Sequence, residues 1–156
     1  MNLRKRVLGR LTKSASDGVM AKVREFGWTI VYVDDKPAFG YTVGLGPTLE
    51  HAELIVVGLP EEATSWVLHG AVDHIRAGES LLAGSSVAGL IGDFDAFILR
   101  VGDEHLGKLA FAGDVYGALD FEALQIVWPD RDGKLPWQSG ADPRLADGQP
   151  VLGPTT

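Results

Sequence analysis

The spacing of apolar and polar positions divides the chain into alternating helical and extended segments. Ser16 and Asp17 are placed to cap a helix that runs to about Phe26, with Val19, Met20, Val23 and Phe26 on one face. Gly27 is placed to end it. The next run, Trp28 to Val33, is β-branched and aromatic throughout and predicts a strand. Asp34-Asp35-Lys36-Pro37 supplies a turn, and Ala38 to Val43 returns as a second strand with Phe39, Tyr41 and Val43 on one face. The stretch from Gly44 to Glu50 reads as a loop. Leu54 to Leu59 is continuously apolar, as a central strand covered on both faces would be.

Pro60 suits the first turn of a helix, and Glu61 and Glu62 favour its positive end. That helix should reach about Ala77 and stop at Gly78, with Val67, Leu68, Ala71, Val72 and Ile75 packed on the sheet. Residues 79–92 read as loop with a weak edge strand, and Phe94 to Val101 as a strand. Gly102-Asp103 opens a further helix carrying Leu106, Leu109, Ala110, Gly113 and Tyr116 at helical spacing; Ala123 to Trp128 is the last strand. Beyond Pro129, four prolines (Pro136, Pro143, Pro150 and Pro154) predict turn and tail without regular structure. The tight link between the first two strands makes them antiparallel, whereas the long helical connections permit parallel neighbours. The expected fold is a single α+β domain: a mixed, mostly antiparallel sheet of about five or six strands with about three helices on one side.

Composition narrows the function. The chain has 156 residues, no Cys and a net charge of −7, so disulfides, thiolate metal sites and thiol catalysis are excluded. Residues 1–13 form a basic arm with Arg4, Lys5, Arg6, Arg10 and Lys13 and no acid; without those five charges the other 143 residues carry −12. The acidic body argues against nucleic-acid binding, since phosphate neutralisation needs a basic surface. The arm's Leu3, Val7, Leu8 and Leu11 fit a short amphipathic helix docked on the body better than a membrane or DNA anchor. The remainder, 14–156, is the domain with its Pro- and Gly-rich tail. With no membrane span and no signal peptide in sight, a cytoplasmic location is expected.

Familiar catalytic motifs fail. Gly44-Leu45-Gly46 lacks the third glycine and the following helix of a dinucleotide fingerprint, and no Gly-Lys-Ser/Thr exists for a phosphate loop. Gly84 to Gly89 places its second glycine one residue late for a nucleophile elbow. His51-Ala52-Glu53 is half of a zinc deaminase signature whose cysteine half is missing. His69 and Asp73 share one helix face, but it is the solvent face, and an exposed polar pair explains them better than a metal. No metal and no cofactor are expected.

Two segments exceed what their propensities require. The first is Tyr41-Thr42-Val43-Gly44-Leu45 leading to His51-Ala52-Glu53-Leu54, in which a hydroxyl and exposed amides meet at a glycine-rich strand exit. The second runs from Gln125 through Trp128-Pro129-Asp130 and Asp132-Gly133 to Pro136-Trp137. It places an amide within an apolar strand and two indoles around a turn. In these segments, and in Gly27-Trp28 and Gln149-Pro150-Val151-Leu152, the chain resembles a bacterial family known only as domain of unknown function family 4262. The resemblance implies a small soluble protein whose tail belongs to the domain, and it carries no catalytic residues over.

Three functions follow. The foremost is a small-ligand-binding module with an aromatic-walled pocket, formed by Tyr41, Trp128 and Trp137 with Thr42, Gly44, Glu53 and Gln125 as polar contacts, its ligand small and polar. The second is a hydrolase or isomerase drawing acid and base from His51, Glu53, His74 and Asp130. The third is a protein–protein interaction domain presenting exposed aromatics. The sequence is compatible with an enzyme and with a non-enzyme, and with a homodimer. The loop after Gly44 and the Trp128-Pro129-Asp130 turn are expected at one end of the sheet, forming one concavity.

Overall fold

The computed structural model describes residues 16–117 and 121–155; the basic arm at 1–13 lies outside the described residues. Helix α1 (16–26) leads into β1 (Thr29–Val33) and β2 (Phe39–Val43). A short helix, α2 (Leu45–Leu49), precedes β3 (Glu53–Val57), and α3 (Glu61–Arg76) follows it. Then come β4 (Ser86–Ile91), β5 (Phe94–Arg100), a 3₁₀ segment (Asp103–Leu109), α4 (Ala110–Tyr116), β6 (Ala123–Val127) and α5 (Pro143–Gly148). The six strands form one sheet in the order β1-β2-β3-β6-β5-β4, antiparallel except where β3 runs parallel to β6. It is the mixed α+β fold that the pattern predicts.

Helix α3 forms as its sequence requires. Val67, Leu68, Ala71, Val72 and Ile75 are all buried, and they pack over Leu54, Val56, Leu124, Ile126 and Ile98 on one face of the sheet. The helices do not, however, lie on one side. The opposite face, with Tyr41, Val43, Ile55 and Val57, is covered by Val19 and Val23 of α1, by Leu106 and Leu109 of the 3₁₀ segment, by Ala112 of α4 and by Leu152 of the tail. The reason is that the central strands β3 and β6 are buried on both faces, so both faces need cover.

Three local expectations are corrected. The Gly44–Glu50 loop contains α2, which Pro47 permits because a first-turn residue has no helical partner for its N–H. The helix after Gly102 starts as 3₁₀ and becomes α only at Ala110; Gly107, a poor helix former, lies within the 3₁₀ part. The tail contains α5, started by the Asp142 side chain accepting from Arg144 N–H with Pro143 in the first turn. Phe26 also leaves the apolar face of α1 and stands 64% exposed.

Candidate functional site

Glu53, at the start of β3, is fully buried. Paired register between β2 and β3 ends at Tyr41↔Ile55, and past that point side chains take over the ladder. The Thr42 hydroxyl accepts from Leu54 N–H (2.9 Å) and donates to Glu53 Oε1 (2.9 Å). Leu45 N–H also donates to Oε1 (3.0 Å), while Gly44 N–H (2.8 Å) and the Tyr116 hydroxyl (3.1 Å) donate to Oε2. Tyr116 in turn accepts from Gly46 N–H (3.0 Å). The carboxylate and phenol together thus hold three successive amides at the start of α2, where unpaired N–H groups favour negative charge. Gly44 makes this turn at φ 111°, and a Cβ there would lie 2.6 Å from Gly27 O.

Burial pushes the Glu53 carboxyl above its ordinary range, opposed by the donors from Gly44, Leu45, Thr42 and Tyr116. The Tyr116 phenol is raised by burial and by the neighbouring Glu53 charge. With four donors on two oxygens, Glu53 has its acceptor positions occupied by the protein itself.

Tyr41, Ile55 and Gln125 lie on one rung of the sheet and face the same side. The Tyr41 hydroxyl accepts from Phe111 N–H (3.2 Å), tying α4 to the sheet, and burial pushes its phenol up to about 12. Gln125 donates to Pro150 O (3.0 Å) and accepts from Leu152 N–H (2.8 Å), so its amide anchors the tail. Tyr41 and Gln125 therefore share a face, but covering backbone occupies their polar atoms.

Trp128 and Asp130 lie elsewhere. β2 runs antiparallel to β3, and β3 parallel to β6, so Gly44 leaves the sheet at the end opposite Trp128. The expected single concavity resolves into two distant regions, because strand direction, which local pattern does not reveal, separates them. Trp128 Nε1 donates to Val57 O (2.8 Å), and buried Gln149 bonds both backbone groups of Trp128. Asp130 accepts from Asp132, Lys134 and Asp142 N–H groups (each 2.9 Å), which hold its carboxyl below the usual range. Trp137 packs edge-on against Phe97, at 5.5 Å between centroids. The concavity beside Trp128 measures about 760 Å³ and includes Arg131 and Arg144 but not Trp137.

The histidines are dispersed. His51 bonds Ala52 O through Nδ1 (2.9 Å), and its Nε2 accepts from Leu81 N–H (3.1 Å). His74 pairs with Glu79 at 2.9 Å, and His69 bonds Ser65 on the outer face of α3. Among the described residues no group of three His, Asp or Glu side chains is placed to hold a metal ion.

A different region is open. Trp66 is 74% exposed on the outer face of α3, with concavities on either side. One, about 550 Å³, is walled by Leu59, Pro60, Val67 and Ile91; the other, about 760 Å³, by Glu61, Glu62, His69 and Asp73.

The DUF4262 family, a domain of unknown function, matches residues 22–142. The chain belongs to this family. Comparison with curated proteins and with solved structures finds no match. The part of this DUF4262 domain that matches contains both the Glu53 assembly and Trp66, and ends before α5. Sequence reasoning missed Trp66, yet a signal was present. Glu62, Trp66, His69 and Asp73 recur at helical spacing on the face away from Val67 and Leu68, which places a large aromatic in a polar stripe.

Proposed function

We propose that this DUF4262 domain is a binding module whose partner surface is the Trp66 groove, and that the partner is a basic, apolar segment of another protein. The observation that carries the reading is the exposed indole at the centre of two adjoining concavities. Aromatic side chains of this kind anchor interfaces, and apolar walls around them supply the desolvated pocket. Glu61, Glu62 and Asp73 line the rim, and the body as a whole is acidic, so Lys or Arg beside apolar residues complements it in charge.

The enzyme alternative has less support. Its candidate acids and bases, His51, Glu53, His74 and Asp130, are each engaged within the protein and do not face a common cavity. The small-ligand alternative keeps one favourable feature, the concavity that joins Trp128 to Arg131 and Arg144; Arg144 is already bonded to both Asp142 oxygens (2.8 and 3.2 Å).

Selection of random peptides on the immobilised full chain, followed by titration of the selected peptides, tests the reading. Peptides combining Lys or Arg with apolar residues should emerge, and Trp66→Ser should weaken them by about tenfold or more. Acidic peptides, or affinity unchanged in Trp66→Ser, would overturn it.

A further inference from the structure

The two edges of the sheet are built differently. β4 carries a register break between Val87 and Ile91 and includes Gly89 at φ 85°, an irregularity that discourages further pairing. β1 pairs without interruption from Thr29↔Val43 to Val33↔Phe39, and its residues include no Pro, Gly or charged side chain. Among the described residues no strand lies beyond it.

One hydrogen bond fixes which backbone groups of β1 face outward. Gly58 N–H donates to Ala38 O (2.7 Å), so Ala38 and, by alternation, Gly40 turn their backbone groups toward β3. Phe39, Tyr41 and Val43 then face β1, and their partners Val33, Val31 and Thr29 face β2. The N–H and C=O groups of Trp28, Ile30 and Tyr32 are left pointing away from the sheet.

We infer that β1 is the surface through which two copies of this chain pair, antiparallel about a two-fold axis at Val31, to form one continuous sheet. Only even-numbered residues have outward backbone groups, and the axis at Val31 gives a five-residue strand its full overlap. Ile30 then bonds the partner's Tyr32, and Trp28 lies opposite the partner's Asp34.

Side-chain parity adds a charge match. Trp28 and Ile30 pack toward the α3 face, so the partner's Asp34 falls on that face too. A concavity of about 500 Å³ lies there, lined by Phe26, Trp28, His69 and Arg76 among others. Arg76 and Asp34 are exposed and, among the described residues, neither takes part in an ion pair. The pairing sets each Asp34 beside the other copy's Arg76 and covers Phe26, an exposed apolar side chain on the same concavity.

Sedimentation velocity of the full chain between about 1 and 200 µM tests this, with a reversible dimer of about micromolar Kd expected. Asp34→Arg and Arg76→Asp should each weaken the dimer about tenfold, since the pair occurs twice by symmetry, and the double variant should restore it. Ile30→Pro removes an outward N–H and leaves the β2-facing bonds intact, so it should give a folded monomer. If that variant fails to fold, the charge exchange at two exposed positions still decides. A full chain that stays monomeric, or a dimer indifferent to the charge exchange, would overturn the inference. So would dimerisation seen only when Leu8→Asp and Leu11→Asp are introduced together, which would assign the edge to the chain's own arm.

Discussion

At the start of β3 a carboxylate is fully buried and receives four hydrogen bonds, whereas on α3 an indole stands 74% exposed between two concavities. Both residue types attract functional interpretation. The difference lies in what is left over. Glu53 and its neighbours Thr42, Tyr116, Gly44 and Leu45 satisfy one another, as buried polar groups must, and the product is a fixed junction between β2, α2, β3 and α4. Trp66 contributes little of its surface to the core, and its presence on a polar helix face is not explained by folding.

The contrast can be broken most forcefully at Glu53. Glu53→Gln keeps the shape but sets an NH₂ group against N–H and O–H donors, so stability should fall by about 3 kcal/mol or more in urea unfolding. A loss under about 1 kcal/mol would mean that the junction is not fixed by the carboxylate.

High pH comes next. Tyr41 is raised from 10.0 to about 12, so the unfolded chain gives up that proton first. The Tyr41 contribution to stability is intact below pH 10.0 and is lost as pH climbs toward about 12, and Tyr116 adds to that loss in the same direction. Urea midpoints measured across this range should fall in the wild type and fall less steeply in Tyr41→Phe.

Gln125→Leu should cost about 2 kcal/mol, because it strands Pro150 O and Leu152 N–H, and it should speed proteolysis of the tail after residue 138. At the other end of the scale, Trp66→Ser should shift stability by no more than about 0.5 kcal/mol while weakening peptide binding by about tenfold or more. A large loss of stability there would place Trp66 with the core after all.

Much of the fold was legible in the sequence. The β-branched run at Trp28–Val33, the apolar run at Leu54–Leu59 and the apolar arc of α3 each state their element locally, and the expected mixed α+β sheet of about five or six strands is found with six. Most of what escaped depended on distant groups. α2 forms where Glu53 and Tyr116, from other elements, hold its first amides, and no pattern within Gly44–Glu50 announces them. The Asp142-Pro143 start of α5 was local and legible, but proline reads as a breaker unless its place in the first turn is weighed. Gln125 was recognised as a polar group in an apolar strand and Tyr41 as an aromatic pocket wall, and the groups that bond them, at Leu152 and Phe111, lie far along the chain. The two aromatic segments looked like parts of one pocket because the sense of β2 relative to β6 is a property of the assembled sheet.

In the function proposed for this DUF4262 domain, the Trp66 face binds the partner and the Glu53 junction serves the fold. Titrating ¹⁵N-labelled full chain with a selected basic, apolar peptide and following its backbone amide signals tests that division most directly. Shifts are expected to concentrate in Leu59–Asp73 and Gly89–Gly92, around the walls of the two concavities. Shifts centred instead on Tyr41–Leu45, Glu53 and Tyr116, with the α3 face unchanged, would contradict it.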